Sequence, residues 1–228
     1  MKNLGSQKFL QGRFINVTLS PRNKPDGIHM HFGDLPDHIV FGETVAIDTE
    51  TQGLNLLRDR LCLLQISDGH GQCHLVQFSR NDYSAPNLKK LLADQDILKI
   101  FHFARFDIAI IKQNLDILCG PVYCTKIASK LVRTYTERHG LRDVTKEIIG
   151  IDLSKEQQSS DWSKSNLTEA QKIYAASDVL NLHLIKKNLD LMLEREGRKS
   201  LAKTCFEFLP SLAMLDLMGW RETDIFSH

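Results

Sequence analysis

Five side chains of types that can work together on a phosphate ester stand at suggestive spacings: Asp48, Glu50, Asp107, Tyr174 and Asp178. Asp48 and Glu50 follow the apolar run Val45-Ala46-Ile47, two residues apart. Residues i and i+2 of a strand share a face, so both carboxylates would project side by side from a strand end. Taken alone, an Asp-x-Glu after a strand also reads as a solvated turn. Asp107 sits among Phe106, Ile108, Ile110 and Ile111, a helix with much of its surface buried. A carboxylate there is costly unless it is ion-paired, to Arg105 or Lys112, or bound to a metal. Tyr174 and Asp178 are four apart, on one helix face. Four converging carboxylates form a site of hard oxygen ligands suited to Mg2+ or Mn2+. Two such ions about 3.5–4 Å apart are the usual apparatus for in-line displacement at a phosphodiester. The tyrosine hydroxyl, one turn before the last carboxylate, is placed to hold the attacking water.

These residues need elements to carry them. Val45–Ile47, Leu61–Ser67 and His74–Phe78 read as strands, the last two joined by the turn Asp68-Gly69-His70-Gly71-Gln72. Ile97–Phe103 is a further strand. Helices are predicted over 87–94, 104–115, 125–133 and 141–149. One long helix is predicted from Leu167 to about Arg195, opened by Thr168 and Gln171 as a capping box. A last helix, Lys203–Met218, should be interrupted at Pro210. Strands early and helices late suit an α/β sheet flanked by helices. The polar residues 1–29 read as a flexible N-terminal extension, and 30–228 as a single domain.

At 228 residues the chain can build a full core. A net charge of +1 excludes a strong overall field for non-specific binding to long nucleic acid. Five cysteines, an odd number without Cys-x-x-Cys, read as reduced thiols of a cytoplasmic protein. The Cys119–Cys124 spacing is wrong for a structural zinc site. No apolar run reaches the roughly 18 residues of a membrane span.

The segments Val45-Ala46-Ile47-Asp48-Thr49-Glu50-Thr51, Phe101-His102-Phe103-Ala104-Arg105-Phe106-Asp107 and Tyr174-Ala175-Ala176-Ser177-Asp178 resemble the three motifs of the DEDDy 3′–5′ exonucleases. Within that superfamily the chain resembles ribonuclease D and, more nearly, the bacterial nanoRNase C proteins. Arg58-Asp59-Arg60-Leu61-Cys62, Cys124–Ser129, Arg133–Thr136, Gln157–Trp162 and the tail from Phe208 to Phe226 carry the finer likeness. The resemblance implies a ribonuclease H-like fold, a mixed sheet flanked by helices. It implies hydrolysis from the 3′ end to nucleoside 5′-monophosphates with two divalent ions, Mg2+ or Mn2+. Asp48, Glu50 and Asp178 would hold the first ion, Asp48 and Asp107 the second, and Tyr174 would orient the water. The expected substrate is short single-stranded RNA, down to dinucleotides. Longer RNA or single-stranded DNA is the alternative, and a scaffold that has lost catalysis a further one. The resemblance also implies a homo-oligomer, of eight copies.

Several further residues have two readings each. Thr51, Gln52 and Leu54 contact the 3′-terminal nucleotide, Leu54 as a wedge, or form an ordinary loop. His102 reaches a sugar or phosphate, or is a core histidine. Gln158 and Trp162 touch substrate, with Trp162 stacking on a base, or the indole packs over a helix start. Lys126, Lys130, Arg133, Arg138 and Arg142 guide phosphates, or form a solvated helical face.

Overall fold

The computed structural model describes residues 19–80, 82–154, 156–157 and 159–227. Within these, β1 (Gly27–Phe32), β2 (Thr44–Thr51), β3 (Leu61–Ser67), β4 (Gln72–Gln77), β5 (Leu98–Phe101) and β6 (Val122–Cys124) make one sheet. Its order is β1-β4-β3-β2-β5-β6. β4, β3 and β2 are antiparallel neighbours, while β1 joins β4, β5 joins β2 and β6 joins β5 in parallel. This is the mixed sheet expected of the ribonuclease H-like class.

The β3–β4 hairpin turns where the glycines predict. Gly69 has φ +81°, a conformation that costs glycine little. A Cβ there would also lie 2.7 Å from the His183 ring, so the turn and the helix behind it both require glycine.

Seven helices complete the described chain: α1 (Pro86–Ala93), α2 (Ala104–Leu115), α3 (Thr125–Val132), α4 (Leu141–Ile149), α5 (Glu169–Leu180), α6 (Leu182–Arg195) and α7 (Lys199–Leu215). A π-helical turn, Asp216–Trp220, follows α7. The alternation of β2 and β3 sorts the layers. Asp48, paired with Gln65, faces α5, whereas Thr49 faces α2. The opposite sheet face and α2 contribute Val45, Ile47, Leu64, Ile66, Ile108 and Ile111 to the main core, all fully buried. No helix among the described residues is long and apolar enough to cross a membrane.

Three expectations change. The helix foreseen from Leu167 to Arg195 breaks at Asn181. Asn181 Oδ1 accepts the Arg22 backbone N–H at 3.0 Å, and its Nδ2 donates to the Arg22 carbonyl at 2.9 Å. A distant segment thus recruits a residue of modest helix propensity. The capping box at Thr168 and Gln171 is present. Pro210 does not interrupt α7, which runs through it, because one missing N–H is borne by a helix packed on α2, α3, α6 and β6. Finally, the boundary placed at residue 30 falls inside β1, whose Gly27 to Phe32 pair with Gln72 to Gln77. β1 and β6 both escape the sequence reading.

Candidate active site

β2 ends at the rim of the sheet, and there Asp48 and Glu50 project together as their spacing predicts. A register shift between Glu50 and Thr51 marks a bulge in the β2–β3 ladder at this point, where Leu63 and Leu61 are the successive partners. α5 lies over the same face and adds Asp178 and, one turn earlier, Tyr174. Ligand atoms of Asp48, Glu50 and Asp178 all fall within 4.8 Å of one another. Asp107 comes from the first turn of α2, 3% exposed, and lines the same cleft. Thr49 Oγ1 donates to its Oδ1 at 2.6 Å and fixes its orientation.

The two ion-pair partners considered for Asp107 are engaged elsewhere. Arg105 makes a two-pronged pair with Asp216 (2.6 and 2.5 Å), and Lys112 pairs with Asp116 at 2.6 Å. Among the described residues no Lys, Arg or His forms an ion pair with any of the four carboxylates. Burial and mutual repulsion therefore act uncompensated. Burial pushes Asp48 up to about 7. Glu50 rises to about 10, first from burial and then from Asp48, Asp178 and Asp107. Asp107 and Asp178 are held well above the carboxylate range by burial and next by Asp48, with the Tyr174 hydroxyl easing Asp178 downward. The Tyr174 phenol is itself raised, by burial first and the neighbouring carboxylates second. Crowded, anionic, oxygen-only and lacking a counter-charge, this donor set fits a hard divalent cation.

The surrounding cleft encloses about 630 Å³. Thr51, Gln52, Leu54, His102 and Trp162 all line it, so the sequence-predicted residues converge, except Gln158, which lies outside the described residues. Their local roles differ. Thr51 Oγ1 donates to the Gly53 carbonyl and shapes the turn, which leaves Leu54 75% exposed at the mouth. Trp162 is 3% exposed and packs with Cys62, Leu63, Leu75, Leu167 and Ala175, the packing arrangement of its two readings. Its indole N–H has no partner among the described residues.

His102 is more informative. Thr125 Oγ1 donates to the Phe101 carbonyl at 3.1 Å. His102 Nδ1 lies 2.8 Å from Thr125 Oγ1, so one of the two carries the shared proton. Burial, with Lys126 assisting, lowers His102 to about 3, so the ring is neutral. Nε2 is buried and has no hydrogen-bond partner among the described residues.

Some lining residues escape the sequence reading. Phe103 has φ +72°, rare for a non-glycine, and presents its ring at the cleft with Lys126 Nζ 4.0 Å from the centroid. Outside that lining, Gln65 is fully buried opposite Asp48, and neither atom of its amide has a partner among the described residues. No local pattern distinguishes it from any other strand residue. The basic segment divides: Lys126 lines the cleft, Arg133 is buried against Glu147, and Arg142 pairs with Asp152. Cys119 and Cys124 are buried free thiols, Cys119 pushed up to about 12 and Cys124 also raised, both by burial.

A mixed sheet with an acidic cleft at the end of β2, completed by Asp and Tyr from a covering helix, defines a nuclease. Residues 37–194 match the family profile described as 3′–5′ exonuclease, and the chain belongs to that family. It is a ribonuclease D-like member of the DEDDy type. Over 154 residues it is 32% identical to ribonuclease D of Gluconacetobacter diazotrophicus, covering 68% of this chain and 39% of that one. The chain thus spans about two fifths of the length of such relatives. The Escherichia coli RNase D structure superposes with a TM-score of 0.66 at 26% identity, over 75% of this chain and 45% of the other. NrnC of Brucella melitensis superposes more fully. Its Mg2+-bound form gives a TM-score of 0.84 at 52% identity, over 88% of this chain and 98% of the other. Its form bound to pGG gives 0.85 at 53%, with the same coverage. The chain is more similar to NrnC than to ribonuclease D.

Proposed function

We propose that this chain is a metal-dependent exoribonuclease that hydrolyses short single-stranded RNA, down to dinucleotides, releasing nucleoside 5′-monophosphates. The observation that carries this is the cluster of Asp48, Glu50 and Asp178 within 4.8 Å, without a paired cation and beside Tyr174. The pGG-bound state of the similar NrnC supports the length of the substrate.

Asp48, Glu50 and Asp178 would hold one ion, and Asp48 with Asp107 a second, Mg2+ or Mn2+. When bound, two such ions lower the pKa of the attacking water and neutralise the charge that develops at phosphorus. The chain's own groups do the rest. Tyr174 holds the water through its hydroxyl and orients it for in-line attack. Thr49 fixes Asp107. Leu54, exposed at the mouth, is placed to wedge against a base, and the turn around Thr51 and Gln52 borders the terminal nucleotide. His102, which lines the cleft, is placed to reach the terminal sugar. An assembly of several copies, eight by the resemblance, is part of the proposal, supported by exposed Leu191, Leu201, Trp220 and Phe226.

The test is a time course on a 5′-labelled diribonucleotide and a long single-stranded RNA, with Mg2+ and with EDTA as control. Faster cleavage of the diribonucleotide is expected. Equal or faster trimming of the long RNA points to a broader ribonuclease D-like enzyme. An absence of metal-dependent cleavage at any length removes the proposal.

A further inference from the structure

A second cleft of about 710 Å³ lies beside the active one. It is lined by Phe32, Gln52, Arg60, Arg80, Asp82 and Lys164, among others. Three of these are cations, and no carboxylate among the described residues pairs with any of them. Asp82 is the acid of the group, and the Ser84 backbone amide donates to it at 3.1 Å. Asp161, whose carboxyl is lowered first by hydrogen bonds from Ser163 and then by nearby Lys164 and Arg60, and Asp82 offset part of this charge, and the three cations still leave the cleft net positive.

The cleft is built, not a gap between loose loops. The Arg60 guanidinium donates to the carbonyls of Phe78 and Ser163, each at 3.2 Å. Gln77 Nε2 donates to the Lys164 carbonyl at 2.7 Å. These bonds hold the segment after Trp162 against the sheet, so Lys164 and Arg80 face a fixed floor. Phe32 lines the same cleft with 74% of its surface exposed, an unusual degree for a phenylalanine.

The two clefts meet. Gln52 lines both, and Trp162 lines the active cleft while Ser163, the next residue, lines the second. An enzyme that works from the 3′ end holds that end at its metal ligands. Any strand leaving the site is therefore the part 5′ to the scissile bond. Unpaired cations at spaced positions with one exposed aromatic ring are the features that hold single-stranded nucleic acid without reading its sequence.

We propose that this second cleft binds the upstream phosphates of RNAs longer than a dinucleotide, with Arg80 and Lys164 as the phosphate contacts and Phe32 as a stacking surface. The proposal rests on the exoribonuclease reading above and extends it to longer oligonucleotides.

Arg80→Glu and Lys164→Glu, singly and together, test it. Both side chains are exposed and unpaired among the described residues, so the folded state should melt at the wild-type temperature. Arg60 is left intact because it holds the backbone. kcat/KM is measured with Mg2+ on a diribonucleotide and a heptaribonucleotide. Binding of a fluorescent heptaribonucleotide is measured in parallel in an Asp178→Asn background. Each reversal should lower heptamer turnover and affinity about tenfold and flatten the log–log salt dependence by about 0.7 per lost phosphate contact, while the diribonucleotide keeps wild-type values. Heptamer values that stay unchanged, or that fall together with those of the diribonucleotide, overturn the proposal. Should the wild type cleave neither RNA while the reversals still weaken heptamer binding, the exoribonuclease reading fails and the cleft's assignment stands.

Discussion

Replacing Asp178 by Asn removes one negative charge from the carboxylate cluster at nearly constant shape. With ligand atoms within 4.8 Å, two unit charges repel by about 3–4 kcal/mol at an effective dielectric near 20. The metal-free protein sheds most of that by retaining protons, because burial already pushes Asp48 up to about 7 and burial, then the neighbouring carboxylates, raise Glu50 to about 10. The residual strain relieved by Asp178→Asn is then about 1–2 kcal/mol, or about 2–8 °C in melting temperature for a chain of this size. Metal-free Asp178→Asn should therefore melt above the metal-free wild type. Mg2+ at a hundred times its Kd should stabilise the wild type by about 2.7 kcal/mol, and this gain should largely vanish in the variant along with RNA hydrolysis. The pH dependence has a definite sign. Asp48 in the unfolded chain ionises near 3.8, whereas in the fold it keeps its proton to about 7. The folded state thus binds more protons across that window, and metal-free stability falls as pH rises through it. Saturating Mg2+ should remove the fall, and Asp178→Asn should reduce it. Differential scanning fluorimetry at several pH values, with EDTA or Mg2+, reads all of this. The reasoning is refuted if the metal-free variant melts lower than wild type, or if Mg2+ raises both equally.

Tyr174→Phe should lower kcat by about 10²–10⁴ while the Mg2+-dependent melting shift persists, since the hydroxyl orients water and is not assigned to the metal; an unchanged kcat would remove that role. His102→Leu should raise KM for a diribonucleotide about tenfold, the value of one buried hydrogen bond. Because burial holds His102 near 3, the wild-type pH–rate profile should show no limb between pH 5 and 8 that disappears in the variant, and finding one would contradict the neutral tautomer. Glu147 is lowered to about 2, chiefly by the buried Arg133 guanidinium and then by the Tyr135 hydroxyl. Glu147→Gln leaves that guanidinium without its anion, a loss of about 1–2 kcal/mol after allowing for the solvent at the half-exposed Glu147. The stability difference from wild type should be full above about pH 4.5 and close as pH falls toward 2, as chemical denaturation at each pH would show.

What could be read from the residues alone, and what could not, divides by range. The bounds of β3, α2 and α4 follow local signals, an unbroken apolar run or a helical period closed by Gly150, and the structure reproduces them residue for residue. Asp48, Glu50, Tyr174 and Asp178 were legible because strand and helix periods alone place each pair on one face. That the pairs meet is a fact of topology: β2 lies at the centre of the sheet and α5 crosses the same face from 120 residues later in the chain. The errors are all long-range. Asn181 breaks a helix for the sake of Arg22, and Phe103 enters a left-handed conformation that nothing in its own composition requires. Charge shows the same division. Lys126 to Arg142 look like one basic face because they are near in sequence, yet Arg133 points inward and is fully buried. Arg60, Arg80 and Lys164 look unrelated because they are far apart, yet they share a cleft. A count of cations along a sequence measures density on a line, whereas binding of a polyanion depends on density in a groove. The overall charge of +1 therefore excluded a global field and left open a local one, and that local field is where a longer RNA would be held.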